Sequence, residues 1–276
     1  MASQADKGRA FRALHEQKQC FIIPNPWDVG SARILEGLGF SALATTSGGF
    51  ANSTGRLDGQ PGRDAVLEHA AALARATNLP ISADLEDGFG AAPEVVAETI
   101  RRAAAAGIVG GSIEDYTGQR DAPLYDIERA AERVHAAAEA ARGLDFPFTL
   151  TARAENFFRG RPDLADTIQR LQAYQEAGAD VLFAPALRSR EDLATVLREI
   201  DRPLNVLGGI GGIASLSLAD YQELGVRRIS VGSLLSTVAY GALINAASEL
   251  KGQGTFGFTS ELVRARELRN LLARSS

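Results

Sequence analysis

The stretch that decides the fold runs from Ala103 to Glu114 and reads AAAAGIVGGSIE. An Ala-rich segment of high helix propensity ends at Gly107, and a short apolar run that ends in an acid follows at once. Glycine just past a helix end takes the left-handed cap conformation without steric cost. Short, nearly continuous apolar runs are typical of strands buried on both faces of a sheet. The stretch therefore predicts a helix followed directly by a buried parallel strand.

The same unit recurs along the chain, as EGLGFSALATT at 36–46, EAGADVLFAP at 176–185 and ELGVRRISVG at 223–232. Eight apolar runs are predicted as strands: Cys20–Ile23, Ala42–Thr45, Ile81–Asp84, Gly111–Glu114, Thr149–Arg153, Val181–Ala184, Leu204–Leu207 and Ile229–Val231. Helices are predicted to follow them at 28–38, 63–77, 92–106, 126–142, 162–177, 188–199, 215–224 and 233–250. Eight strand–helix repeats are typical of an α/β fold of the (β/α)8 TIM-barrel type.

An open, doubly wound α/β sheet is the alternative fold. It requires a glycine-rich phosphate turn after the first strand, where residues 24–28 read PNPWD. We therefore interpret residues 1–276 as one barrel domain with an N-terminal helix within 1–19 and a terminal helix within 259–276. The terminal segment Ser260–Ala273 is amphipathic, and the Gly-rich stretch Lys251–Phe258 would let it pack on another subunit. Closing the bottom of its own barrel is the open alternative.

Composition excludes several classes of function. The 276 residues carry a net charge of −5, one Cys and three His. The chain therefore forms no intrachain disulfide and has no general attraction to nucleic acid or to anionic membranes. A polar start and strand-sized apolar runs predict no targeting segment, no membrane helix and a cytoplasmic location. His15, His69 and His135 fall in predicted helices and no Lys ends a strand, which disfavours nucleophilic triads and Schiff-base chemistry.

Acidic side chains gather where two neighbouring strands end, the place where barrels hold their active sites. Asp84, Glu86 and Asp87 follow the third strand, and Glu114 and Asp115 end the fourth. Such charges repel one another unless a cation neutralises them or protons bind. Oxygen ligands without His or Cys favour Mg²⁺ or Mn²⁺. The pattern predicts a metal site built from Asp84, Glu86 and Glu114.

Candidate anion-binding groups occupy other strand ends. Arg153 ends the fifth strand, where it can clamp a carboxylate or phosphonate with two hydrogen bonds or pair with Glu114 or Glu155. The turn Ser47-Gly48-Gly49 after the second strand can present backbone N–H groups to an anion. Asn205 on the seventh strand is a further candidate for substrate binding. This set suits a small keto or hydroxy acid whose enolate is stabilised by metal and arginine.

At these residues the chain resembles the isocitrate lyase/phosphoenolpyruvate mutase superfamily. The matching motifs are Thr46-Ser47-Gly48-Gly49, Asp58 in the loop 55–59, Ala83–Gly90, Ser112–Asp115, Thr151–Arg153 and Glu176–Asp180. The resemblance implies a barrel whose eighth helix is exchanged with a neighbouring subunit, in homodimers that pair into homotetramers.

The resemblance also implies site roles. Mg²⁺ would be held by Asp84, with Glu86 and Glu114 contributing, often through water. A carboxylate or phosphonate substrate would bind Ser47, Gly48, Gly49 and Arg153. We therefore take Arg153, Glu114 and Asp58 as candidate catalytic residues. The expected activity is Mg²⁺-dependent cleavage of a C–C bond, by a lyase or decarboxylase, in a small 2-keto or 2-hydroxy mono- or dicarboxylic acid through an enolate.

Departures from the superfamily pattern narrow this expectation. After the fourth strand the lyases carry a Lys-Lys-Cys-Gly-His-type loop, whereas residues 116–125 read YTGQRDAPLY. Cleavage of isocitrate or methylisocitrate is therefore not expected, and Tyr116, Arg120 and Tyr125 remain candidate proton donors. Phosphonopyruvate-type enzymes carry a Lys and an Asn in this loop that are also missing. A P–C bond hydrolase or mutase and a non-catalytic keto-acid-binding barrel stay open as alternatives.

Overall fold

Eight short parallel strands line the interior of the molecule in the computed structural model, which describes residues 2–273. They are β1 (Phe21–Ile23), β2 (Leu43–Ala44), β3 (Ile81–Asp84), β4 (Gly110–Glu114), β5 (Thr149–Arg153), β6 (Val181–Phe183), β7 (Leu204–Leu207) and β8 (Arg228–Ser230). The strand order is β1-β8-β7-β6-β5-β4-β3-β2. Across the remaining gap, the Ala44 N–H donates to the Pro24 carbonyl oxygen at 3.1 Å. The nearly closed ring confirms the predicted (β/α)8 barrel.

Helices alternate with the strands. They are α1 (Gln4–Glu16), α2 (Val29–Gly37), α3 (Ser47–Ser53), α4 (Arg63–Ala76), α5 (Pro93–Ala105), α6 (Ile127–Arg142), α7 (Leu164–Glu176), α8 (Arg190–Arg198), α9 (Leu218–Leu224), α10 (Leu234–Gln253) and α11 (Ala265–Ala273). Gly107 and Gly225 follow α5 and α9 with φ of 91° and 96°, the left-handed conformation that the sequence predicts there. The strands match the predicted runs to within one residue at each end.

The N-terminal helix lies across the N-terminal end of the barrel. Ser3 caps α1 by a reciprocal pair of hydrogen bonds with Asp6, and Phe11 on its inner face is fully buried. The Gln4 amide donates to two carbonyl oxygens, those of Ala104 and Ile108, near the start of β4. The opposite end of the barrel is therefore the open one.

The stretch Ser47-Gly48-Gly49, predicted as a turn after the second strand, is the first turn of helix α3. Thr46 caps α3, since its Oγ1 accepts from the Gly49 N–H at 3.3 Å. A Cβ at Gly49 would lie 2.6 Å from Thr46 Cγ2 and 3.1 Å from Trp27 Cβ. Only glycine fits this contact, and the close packing brings the start of α3 to the end of β3.

The last two helices differ in their packing. The terminal helix α11, for which packing on another subunit or on its own barrel was left open, packs against α2 of its own chain, with Leu271 against Gly37. The exposed helix is α10, in which Ser236 is the single buried residue and Val238, Leu243 and Ile244 are 71%, 61% and 62% exposed. The predicted Gly-rich linker starts later than expected because α10 continues to Gln253. Residues 274–276 of the predicted terminal helix lie outside the described range.

None of the helices within residues 2–273 has both the length and the apolar character that crossing a membrane requires.

Candidate active site

A cavity of about 300 Å³ opens at the C-terminal ends of the strands. Residues from all eight strands and from the loops after them line it, which is the usual place for a barrel active site. Its ionisable lining residues are Asp58, Asp84, Glu86, Glu114, Tyr116, Arg153, Arg159 and Arg228. A cavity of this size fits a small organic acid.

Asp84 is fixed at the end of β3 by hydrogen bonds on two sides. Its backbone N–H donates to Thr45 Oγ1 at 2.8 Å, which ties β3 to β2. Its carboxylate oxygen Oδ2 accepts the Ser47 N–H at 3.1 Å, at the positive end of α3. Asp84 is therefore a pre-oriented carboxylate.

Glu86 carries the features of a cation ligand. Its φ of 49° lies in the left-handed region, and its Oε1 is buried without a hydrogen-bond partner. Burial first, and then the charges of Asp84, Asp58 and Asp87, raise the pKa of Glu86 to about 8. A buried, unsatisfied carboxylate oxygen beside other carboxylates is costly unless a positive charge comes to it.

Glu114 and Arg153 face each other at the ends of β4 and β5, where the sheet register pairs them. Arg153 Nη1 lies 3.4 Å from Glu114 Oε2, and its Nε donates to Glu155. Burial raises the pKa of Glu114 well above its usual range, against the lowering effect of Arg153. Burial lowers the pKa of Arg153, but Glu155, Glu114 and Asp84 together raise it above its ordinary value. Arg153 therefore stays charged in the cavity wall.

The predicted acidic cluster divides into two groups. Asp84, Glu86 and Glu114 line the cavity. Asp115 points away into the core, where it accepts from the Tyr174 hydroxyl at 2.6 Å and pairs with Arg170 at 2.9 Å. Asp87 Oδ1 accepts the Phe89 N–H at 2.8 Å and shapes the loop after β3. In the described range, no three His, Cys, Asp or Glu side chains converge tightly enough to form a ready-made direct metal cluster.

The predicted substrate-binding residues have unequal access to the cavity. Ser47 and Gly48 line it, whereas Gly49 is buried and its N–H serves the Thr46 cap. Asp58 reaches the cavity from an exposed loop, and a Cβ at Gly48 would lie 3.5 Å from its Oδ2. Asn205 lies in the floor, where its Oδ1 accepts from Arg228 Nε at 2.8 Å. Its Nδ2 donates to Ser230 Oγ at 3.0 Å.

Two arginines in the cavity wall were missed by the sequence analysis. Arg159 lies in the loop after β5, beyond the strand end itself, and pairs with Glu114 and Glu155 at 3.3 and 2.8 Å. Arg228 starts β8, at the end of the barrel away from the expected site. It is buried, and that burial lowers its pKa to about 9. An Arg within an aromatic loop such as 156–161, NFFRGR, is the signal that points to Arg159.

A family model described as phosphoenolpyruvate phosphomutase matches residues 11–251. That range contains all eight strands and every ionisable residue of the cavity lining. The chain belongs to the phosphoenolpyruvate phosphomutase family. The predicted membership of the isocitrate lyase/phosphoenolpyruvate mutase superfamily is confirmed, and with it the expected class of enzyme, a carbon–carbon lyase of that superfamily.

Three relatives match most of this chain, and two of them have a named activity. An uncharacterized protein of Mycobacterium tuberculosis H37Rv is 36% identical over 241 residues, covering 87% of this chain and 86% of its own length. A 2-methylisocitrate lyase of Halalkalibacterium halodurans is 30% identical and covers 73% of this chain and 67% of its own length. An oxaloacetate decarboxylase of Chromohalobacter salexigens, also 30% identical, covers 88% and 84%.

A solved structure shares the whole barrel. The Burkholderia cenocepacia J2315 protein, described as a proposed lyase/mutase, is 54% identical, with a TM-score of 0.95 over 98% of this chain and 97% of that chain. The two proteins therefore share the same fold along almost their whole length.

Proposed function

We propose that this family member is a Mg²⁺-dependent lyase or decarboxylase that cleaves a C–C bond of a small 2-keto or 2-hydroxy mono- or dicarboxylic acid through an enolate. The observation that carries the proposal is the pairing of two groups in one cavity. Asp84 and Glu86 form an acidic side beside the Glu114–Arg153 ion pair, and no His, Cys or Lys lines the described cavity. Such a set stabilises developing negative charge rather than supplying a nucleophile.

The acidic side fits a hard divalent cation. The side chains on this side are all carboxylates, which suits the oxygen-rich coordination that Mg²⁺ or Mn²⁺ prefers. The buried Oε1 of Glu86 has no hydrogen-bond partner, and the fixed carboxylate of Asp84 is its neighbour. We assign Asp84 as the direct ligand, with Glu86 and Glu114 acting through water. When bound, Mg²⁺ supplies the charge that stabilises an enolate oxygen.

The cavity wall fits the anionic end of the substrate. The guanidinium of Arg153 presents a planar fork that suits a carboxylate, and Glu114 and Glu155 hold it in place. At the start of α3 the Ser47 N–H donates to Asp84 and the Gly49 N–H to the Thr46 cap, which leaves the Gly48 N–H to meet the anion. Asn205 offers its remaining amide hydrogen from the floor. These groups orient the keto acid so that the scissile bond faces the open mouth.

Proton transfer is assigned to Asp58. Its carboxylate is exposed at the mouth and lies beside Gly48, so it can exchange protons with water and with the reacting group. Glu114 is buried against two arginines, which suits it to orient Arg153 instead.

A substrate panel tests the proposal. Oxaloacetate, malate derivatives and phosphonopyruvate are incubated with the purified protein and Mg²⁺, and the products are followed by mass spectrometry and phosphate release. Asp84→Asn should abolish turnover, whereas Asp145→Asn, an exposed acid before β5 at the other end of the barrel, should not. Phosphate release from phosphonopyruvate would favour the second candidate, a P–C bond enzyme, which the name of the matching family supports. Ligand binding without turnover would favour a non-catalytic barrel.

We also propose that the cytoplasmic protein is a homodimer or homotetramer in which α10 packs on a neighbouring barrel. Support comes from the exposed Val238, Leu243 and Ile244 on a helix that buries one residue in the described chain. Light scattering should give the mass of a dimer or tetramer. Leu243→Glu should shift it to a smaller species, whereas Asn245→Glu on the same helix should shift it less. A monomeric wild type contradicts the proposal.

A further inference from the structure

We propose that Arg159 selects substrates that carry a second carboxylate, which it binds at the mouth of the cavity. The inference rests on the proposed function, because it assumes that Arg153 and the metal site hold the keto-acid end. It adds the substrate class, a dicarboxylate rather than a monocarboxylate.

Arg159 is a fixed guanidinium at the mouth. It lies in the loop after β5, where its backbone N–H donates to the Glu155 carbonyl oxygen at 2.8 Å. Its guanidinium carbon lies 3.5 Å from the centre of the Tyr116 ring, a stacked cation–π contact with the loop after β4. Stacking of this kind orients the planar fork before a ligand arrives.

Both arginines border the same space. Arg153 and Arg159 lie 5.7 and 5.5 Å from the centre of the Phe158 ring, and all three residues line the cavity. The side chain of Arg153 is 14% exposed and that of Arg159 is 28% exposed. Arg153 is therefore the inner guanidinium, and Arg159 is the outer one.

The ion pairs leave Arg159 open to a further anion. Glu114 and Glu155 are shared by Arg153 and Arg159, so the four charges balance. The contacts of Glu114 with the two arginines, 3.4 and 3.3 Å, are longer than the 2.7–2.9 Å that is typical of a charge-assisted hydrogen bond. Once the charge of Glu114 is turned toward a cation, Glu155 is left to balance both arginines, so the pair lacks one counter-charge. A substrate carboxylate supplies that charge.

Other cations are poorly placed for this role. Arg228 lies deep in the barrel, where it contacts Thr151, Asn205 and His15. Arg120 is in the exposed loop after β4 and is not part of the cavity lining. Among the arginines of the described cavity lining, Arg159 is thus the one that combines exposure with contact to the acidic cluster.

Calorimetry with matched ligands tests the inference. L-malate and 2-hydroxybutyrate share four carbons and a 2-hydroxy acid, but only malate has the distal carboxylate; oxalate reports the metal and Arg153 alone. Binding to the full-length protein with Mg²⁺ is compared for wild type, Arg159→Gln, Arg159→Lys and the control Arg161→Gln. Arg161 is an exposed residue of the same loop.

The wild type should prefer malate to 2-hydroxybutyrate by about tenfold or more, because a charged hydrogen-bonded pair is lost without the distal group. Arg159→Gln should remove that preference and change oxalate affinity by less than about twofold. Arg159→Lys should retain part of it, and Arg161→Gln all of it. Equal binding of the two acids by wild type, or an equal loss for all three ligands in Arg159→Gln, overturns the inference. Failure of oxalate to bind wild type with Mg²⁺ instead overturns the proposed function.

Discussion

Glu86 should destabilise the metal-free protein, and its replacement by Gln should reverse that effect. Its folded pKa of about 8 exceeds the ordinary value of 4.5, so the folded state binds this proton more tightly than the unfolded chain does. The free energy of unfolding therefore falls as the pH rises from about 4.5 and levels off above about 8. At pH 8 the full shift corresponds to roughly 4 kcal/mol, and partial access of water to the cavity reduces it to roughly 2–4 kcal/mol.

Glu86→Gln removes the titration while keeping the size of the side chain. Without metal at pH 8, the variant should therefore be more stable than wild type by roughly 2–4 kcal/mol, a rise of several degrees in Tm. At pH 5 the gain should fall below about 1 kcal/mol. Saturating Mg²⁺ should stabilise wild type by roughly 3 kcal/mol at a hundredfold excess over Kd, and the variant by much less.

Urea unfolding with and without EDTA measures these differences. Glu94→Gln, an exposed acid in the first turn of α5, is the matched control and should change neither quantity by more than about 0.5 kcal/mol. If Glu86→Gln lowers the stability of the metal-free protein at pH 8, the buried Glu86 carboxylate does not destabilise the fold. A Mg²⁺ response in the variant equal to that of wild type would refute the assignment of Glu86 to the cation.

Three further outcomes are expected. Burial, followed by the charge of Arg228, lowers the pKa of His15 to about 3, so the unfolded chain takes up this proton first as the pH falls below 6.5. Wild type should lose about 2 kcal/mol of unfolding free energy between pH 7 and pH 5 through this group. Urea unfolding of His15→Gln should show no such loss, and parallel pH profiles for wild type and variant would contradict the prediction. Gly49→Ala should cost about 1–3 kcal/mol because its Cβ meets Thr46 and Trp27, whereas Gly62→Ala, with open space around it, should cost less; equal thermal melts of the two variants reject the contact argument. Arg153→Lys should weaken the binding of oxalate about tenfold or more in calorimetry, because the planar fork of the guanidinium is lost. An unchanged Kd for oxalate would argue against a carboxylate clamp by Arg153.

The barrel was predictable because its local signals agree. Gly107 and Gly225 adopt the left-handed caps that their places after helices require, and the buried strands follow at once. The start of α3 was not predictable as a helix, since two glycines have low helix propensity. Tertiary contact with Trp27 and the cap from Thr46 decide its conformation instead.

Site residues could be predicted from the sequence where they stand at the C-terminal ends of strands. Asp84, Glu114 and Arg153 were found in this way, since strand ends meet at one face of a barrel. Sequence could not separate Asp115 from Glu114, because only the packed structure shows Arg170 and Tyr174 taking up the Asp115 carboxylate. Arg159 lies in a loop whose path depends on Tyr116 of another loop, and no local pattern encodes that contact.

Asp84, Glu86 and Glu114 are proposed to form a metal-dependent site for a small keto acid. Oxalate, an analogue of the pyruvate enolate, tests it most directly by calorimetry in Mg²⁺ and in EDTA. We predict that oxalate binds wild type at least about a hundredfold more tightly with Mg²⁺ than with EDTA, and that Asp84→Asn removes this difference. Equal affinity in Mg²⁺ and EDTA, or an Asp84→Asn variant that keeps the wild-type difference, would contradict the account.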